Sequence, residues 1–150
     1  MSYLAQEYVQ RFMMHRGALL DLLEKIPESQ GEFKAWENGM SFISLTDHLT
    51  GSGINLTNIM TGKERVKLEP SISLSAATNR LKDATWQIEQ TISGLSPEQL
   101  SQKVTAFGGR EMPVFTILDF MREHEAHHKG QIWMMARMIG IEPPNLVKWG

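Results

Sequence analysis

The chain has 150 residues, 41% of them hydrophobic, which is enough apolar material for one domain, residues 1–150, with a full-sized core. Its formal net charge of −2 and lack of any Lys/Arg run argue against nucleic acid, and the absence of cysteine removes disulfides, thiolate ligands and a cysteine nucleophile together. No apolar run spans a membrane, and the amphipathic start MSYLAQEYVQRF lacks the basic and apolar blocks of a signal peptide, so the chain reads as cytoplasmic.

In chain order, Tyr8, Phe12, His15, Leu19, Leu22, Leu23 and Ile26 fall on one 3.6-residue stripe, predicting a helix over about 3–26 that stops before Pro27. A second helix begins near Ser41–Thr46 and runs through Leu45, His48, Leu49, Leu56 and Ile59 to Gly62. It contains Gly51-Ser52-Gly53, a cost of about 1 kcal/mol per glycine that calls for a close helix approach in return. The third spans Leu74 to Ser93, with Leu74, Ala77, Leu81, Ala84, Ile88 and Ile92 inward and Gly94 as its stop. Ser96-Pro97-Glu98-Gln99 has the spacing of a capping box and predicts a short extra turn. Residues 102–112 carry no clear period, and no stretch reads as a strand.

The fourth helix opens at Pro113 and passes through Ile117, Met121, His124, His128, Met135 and Met138 to Gly140, with Pro143-Pro144 beyond. Four helices of about 20 residues predict an all-α four-helix bundle. The methionines (Met13, Met14, Met134, Met135, Met138) read as gap-filling core, and Trp133 and Trp149 as core and edge packing.

Within the fourth helix, His124-Glu125-Ala126-His127-His128 puts two imidazoles four residues apart, on one face. Burying two neutral imidazoles is costly unless each ring nitrogen finds a partner, and one metal ion partners two at once. The string also satisfies H-E-x-x-H, the zinc-protease pattern, with Glu125 as general base. Its surroundings argue against that reading. No histidine follows His128, the only later acid, Glu142, lies past the helix stop, and no strand is at hand to align a peptide. Glu125 then reads as a solvated carboxylate on a helix face. His48, on the apolar stripe of another helix, is placed where a bundle can bring it to His124 and His128.

These elements resemble the DinB/YfiT-like superfamily of bacterial metalloproteins: Asp47-His48-Leu49, then His124-Glu125-Ala126-His127-His128-Lys129-Gly130-Gln131-Ile132, then Gly140-Ile141-Glu142-Pro143-Pro144. The resemblance covers nearly the whole chain. It implies an up-down-down-up bundle and one divalent ion on His48, His124 and His128, with nickel or zinc suited to imidazole ligands. His127 then matches the extra histidine of the HH pair and, turned about 100° from His128, reads as a residue behind the ligands or at the surface. Gln131 reads either as a hydrogen-bond partner of a ligand or as a plain polar residue, and Gly130 as a point of close helix approach. A carboxylate such as Asp47 is the leading candidate for an additional ligand, although its position beside His48 turns it to another face. His15 reads as a hydrogen-bonded core histidine.

The resemblance also implies activities. Members of the superfamily include transferases that join low-molecular-weight thiols such as bacillithiol or glutathione to electrophiles, and a mycothiol-dependent isomerase. The expected function is metal-dependent S-transfer from such a thiol to a small-molecule substrate, in detoxification or stress response. The competing readings are a metal-dependent hydrolase, with Glu125 or His127 as proton shuttle, and a non-catalytic metal-binding stress protein. A homodimer is expected on the resemblance and on the Met/Trp-rich end of the fourth helix.

Overall fold

The computed structural model describes residues 3–150. Its long helices are α1 (Tyr3–Leu23), α2 (Phe42–Met60), α3 (Leu74–Ser93) and α5 (Val114–Met138). Between α3 and α5 lie a short α4 (Pro97–Ser101) and the strands β1 (Lys103–Ala106) and β2 (Arg110–Pro113). The starts of α2, α3 and α4 are set by side-chain caps. The Ser41 hydroxyl accepts from Ser44 N–H at 3.0 Å, and the Ser44 hydroxyl accepts from Ser41 N–H at 2.7 Å, closing a capping box on α2. Ser73 caps α3, and Ser96 with Gln99 forms the capping box expected on α4. α1 ends three residues earlier than its stripe, because Lys25 and Ile26 bond back to Leu22 and Leu23, a tightened last turn ahead of Pro27.

Residues 102–112, expected to be irregular, contain an antiparallel hairpin that pairs Val104 with Met112 and Ala106 with Arg110. Val104 and Ala106 turn inward while Lys103 and Thr105 face water, so the period is two but lasts only four residues. Phe107, Gly108 and Gly109 make the turn with φ of 49°, 80° and 91°. The Gly-Gly pair was the available hairpin signal.

Two apolar clusters fix the direction of every long helix. One gathers Leu19 and Leu22 from the end of α1, Phe42 and Leu45 from the start of α2, Leu74 and Ala77 from the start of α3, and Ile132 and Ala136 from the end of α5. The other gathers Phe12 of α1, Leu56 and Met60 of α2, Ile88 and Ile92 of α3, and Ile117 and Met121 of α5. Thus α1 and α5 run one way and α2 and α3 the other, which is the up-down-down-up bundle. The connection 61–73 makes the parallel α2–α3 pair possible by running back along α2, tied to Asn58, then Asn55, then Asp47. Where α2 crosses α3, a Cβ on Gly53 would come within 2.6 Å of Ile88 Cδ1, so the predicted close approach falls at this glycine.

Three packing expectations are corrected. Nothing lies within 4 Å of a Cβ built on Gly130, so no helix approaches there. Met135 and Trp133 are core, but Met134 and Met138, on the outer face of α5, and Trp149, in the tail beyond it, are exposed. No helix among the described residues is long and apolar enough to cross a membrane.

Candidate metal centre

His48 leaves α2 one turn after Leu45, and His124 and His128 leave α5 on consecutive turns, so all three meet at the seam between these antiparallel helices. His48 Nε2 and His124 Nε2 stand 3.0 Å apart. With His128, the three potential ligand atoms lie within 4.8 Å of one another, and all three rings are half-buried. Two ring lone pairs facing each other at this distance repel unless a proton or a cation lies between them. Nitrogens bound about 2.0–2.1 Å from one ion, at angles from about 90° to tetrahedral, stand about 2.8–3.4 Å apart. The His48–His124 pair falls inside that range, and His128 stands within 4.8 Å of both, so these donors are gathered as a divalent ion would need them.

The third imidazole is oriented from behind. His128 Nδ1–H donates to Gln131 Oε1 at 2.7 Å, which leaves Nε2 as the lone-pair nitrogen. Of the two readings of Gln131, the structure supports the hydrogen-bond partner. Phe120, one turn before His124, stacks on its ring at 5.5 Å, and Phe107 from the hairpin turn packs edge-on against Phe120 at 4.8 Å. Two clefts open on either side of the cluster. One, of about 890 Å³, reaches His48 and is walled by Phe107, Phe120 and the 65–70 segment. The other, of about 610 Å³, reaches His128 and is lined by Trp36, Met134 and His127.

A family model described as the DinB family matches residues 1–148. The chain belongs to the DinB family. The uncharacterized protein YjoA of Bacillus subtilis (strain 168) is 26% identical over 143 residues, 91% of each chain. Its crystal structure has a TM-score of 0.82, covering 95% of this chain and 98% of that one. YfiT from Bacillus subtilis, described as a probable metal-dependent hydrolase with an unusual four-helix bundle topology, matches at a TM-score of 0.72 and 16% identity over 95% of this chain and 91% of its own. The mycothiol-dependent maleylpyruvate isomerase matches at 0.65 and 17% identity, over 91% of this chain and 61% of that one. At such identities these last two share the fold.

In this DinB-family chain Glu125 is neither a solvated carboxylate nor placed to move protons. It is buried, at 2% exposure, and accepts two hydrogen bonds from the equally buried Arg16, from Nε at 2.6 Å and Nη2 at 2.8 Å. The third arm of the fork, Arg16 Nη1, donates to Thr85 Oγ1 at 2.8 Å, so α1, α3 and α5 meet at one guanidinium. One turn further on, Lys129 is buried as well and donates to His15 Nδ1 at 3.0 Å and to the Leu146 carbonyl. His15 is therefore hydrogen-bonded as expected, but half-buried at the edge of the core rather than within it. His127 is exposed, with its ring against His128, and Asp47 turns to the 61–73 connection, accepting from Ser71 N–H and Oγ.

Burial, then the neighbouring His128 and His48, depress the His124 pKa from 6.5 to about 4, and burial with His128 lowers that of His48. Both rings are thus neutral donors of lone pairs at neutral pH. The unfolded chain protonates His124 near 6.5, whereas the folded chain does so only near 4, so between these values the unfolded state binds more protons. Metal-free protein should therefore lose stability as pH falls from about 6.5 towards 4, read as a falling denaturation midpoint, and His124→Ala should flatten that slope. A midpoint that holds or rises over this window contradicts the neutral-imidazole cluster.

Proposed function

We propose that His48, His124 and His128 hold one divalent ion, nickel or zinc, and that this cytoplasmic protein joins an intact low-molecular-weight thiol, through its sulfur, to an electrophile in detoxification or stress response, the thiol's proton passing to solvent. The observation that carries the reading is the trio of imidazoles gathered at the junction of two clefts, with its third member oriented by Gln131. An ion on three neutral imidazoles keeps its full positive charge and favours the thiolate over the thiol at cellular pH. The chain has no cysteine, so the sulfur must come from a co-substrate such as bacillithiol or glutathione. Two clefts suit two reactants, and Phe120 and Phe107 restrict water on the His124 side.

The alternative, a metal-dependent hydrolase, draws on the fold shared with YfiT. It asks for a general base beside the attacking water, and two of the carboxylates adjacent in sequence to the ligands are committed elsewhere, Glu125 to Arg16 and Asp47 to Ser71 and Arg80, while Glu123 is exposed to solvent. His127 is the remaining shuttle. A thiol is intrinsically far more acidic than water, so on such an ion it gives its proton to solvent without a base beside it, which favours thiolate chemistry. The test is metal-loaded protein with bacillithiol, glutathione or cysteine and a chromogenic electrophile. Conjugation is expected to require both thiol and metal and to fall to the uncatalysed rate in His124→Ala. Thiol-independent ester cleavage moves the reading to a hydrolase, and tight metal binding with neither activity to a non-catalytic metal protein.

We also propose a homodimer formed through the exposed Met134 and Met138 of α5. Light scattering should give twice the 17.0 kDa chain mass at micromolar concentration, and a mass of one chain rejects it.

A further inference from the structure

The geometry points to the cleft on the His48 side as the seat of a small molecule that bears a carboxylate, its acid group on Arg65 and Lys67 and its other end at the imidazoles. The wall that carries these two cations is built. Asn55 on α2 grips the main chain of Val66 between them, its amide donating to the Val66 carbonyl at 2.9 Å and its carbonyl accepting from Val66 N–H at 2.8 Å. Asn58 holds Glu64 O at 3.0 Å and Arg80 holds Glu69 O at 2.8 Å, so the extended segment is pinned on both sides of the pair.

Both cations line the cleft, and among the described residues neither has an ion-pair partner. Asp47, the carboxylate on the same wall, is held by Ser71 and Arg80. The wall is therefore net positive. The rest of the lining is apolar, with Leu56, Ile59, Phe107 and Phe120, and suits a short hydrocarbon body. Asn55 follows His48 by seven residues of helix, which sets the grip on Val66 about 10 Å from His48 along α2. A chain of five or six methylenes between the acid and the reacting group covers that span.

The inference rests on the proposed thiol chemistry only for what the far end carries: the occupant is an acid-bearing thiol, with its sulfur at the imidazoles. The probes are 6-mercaptohexanoate, its amide, and hexanoate, titrated by calorimetry into metal-loaded full-length protein. Arg65→Glu/Lys67→Glu should weaken both carboxylates at least about tenfold and leave the amide unchanged. Lys63→Glu, a charge reversal outside the cleft, should leave all three unchanged at 0.15 M salt, and Asn55→Ala should weaken the carboxylates in the same direction as the double variant. Carboxylate binding that ignores the Arg65/Lys67 reversal, or that responds equally to Lys63→Glu, overturns the proposal. If hexanoate binds as tightly as 6-mercaptohexanoate yet still needs Arg65 and Lys67, the carboxylate seat stands and the thiol chemistry is what fails.

Discussion

Glu125→Ala is expected to destabilise the protein by about 3–5 kcal/mol, because it leaves the Arg16 guanidinium charged, buried and without its counter-ion. Domains of this kind have about 5–15 kcal/mol in total, so the variant should melt far below the parent or fail to fold at ordinary temperatures. Arg16→Ala should be as damaging, since it strands the carboxylate instead. The decisive comparison is the double change Arg16→Met/Glu125→Leu, which removes both charges and keeps apolar volume. It should cost less than either single variant, because desolvating two ions offsets most of their attraction. Thr85 tolerates the loss, as its hydroxyl still donates to the Leu81 carbonyl at 2.6 Å. Denaturant midpoints for the four proteins check this. A single variant within 1 kcal/mol of the parent, or a double variant worse than both singles, contradicts the buried pair.

The second large effect concerns the imidazoles. Purified protein should carry about one equivalent of divalent metal, and His48→Ala, His124→Ala or His128→Ala should each remove most of it. Gln131→Ala should be milder, a loss of about 10–100-fold in affinity, because it releases the orientation of His128 without deleting a donor. His127→Ala should retain the metal, since His127 lies exposed beside His128 and outside the cluster. Elemental analysis with competition against a chelator reads all five. Loss of metal in His127→Ala with retention in His128→Ala would place the ligand on the wrong residue of the pair.

The long helices were legible because each carries an unbroken apolar stripe and a plain stop, and the capping serines at 41 and 96 are local signals. The three imidazoles were legible for a related reason. Two sit four apart on a core stripe and the third sits on a core stripe of its own, so a bundle has few other places to put them. The Arg16–Glu125 pair was not, although both residues fall on apolar stripes: Arg16 lies between Phe12 and Leu19, and Glu125 follows Met121 by one turn. A charged residue on such a stripe is ordinarily at its solvated edge, and the partner that makes burial tolerable is 109 residues away. Opposite charges on two otherwise apolar stripes are the signal that could have found it. The hairpin escaped because four-residue strands with one or two inward side chains give no period to detect. The grip of Asn55 on Val66 left no trace at all, since a lone asparagine on a helix looks the same whether it holds a loop or water.

The hairpin separates two properties that most bundles couple. Its inward residues, Val104, Ala106 and Met112, pack on the core, whereas its turn places Phe107 and Gly108 at the wall of the larger cleft, with Phe107 edge-on to Phe120. Changes at this turn that keep the two glycines with positive φ can therefore resize the mouth of the larger cleft while the helices that hold the histidines stay as they are. For an engineer this is the natural place to vary the shape of the cleft without touching the bundle.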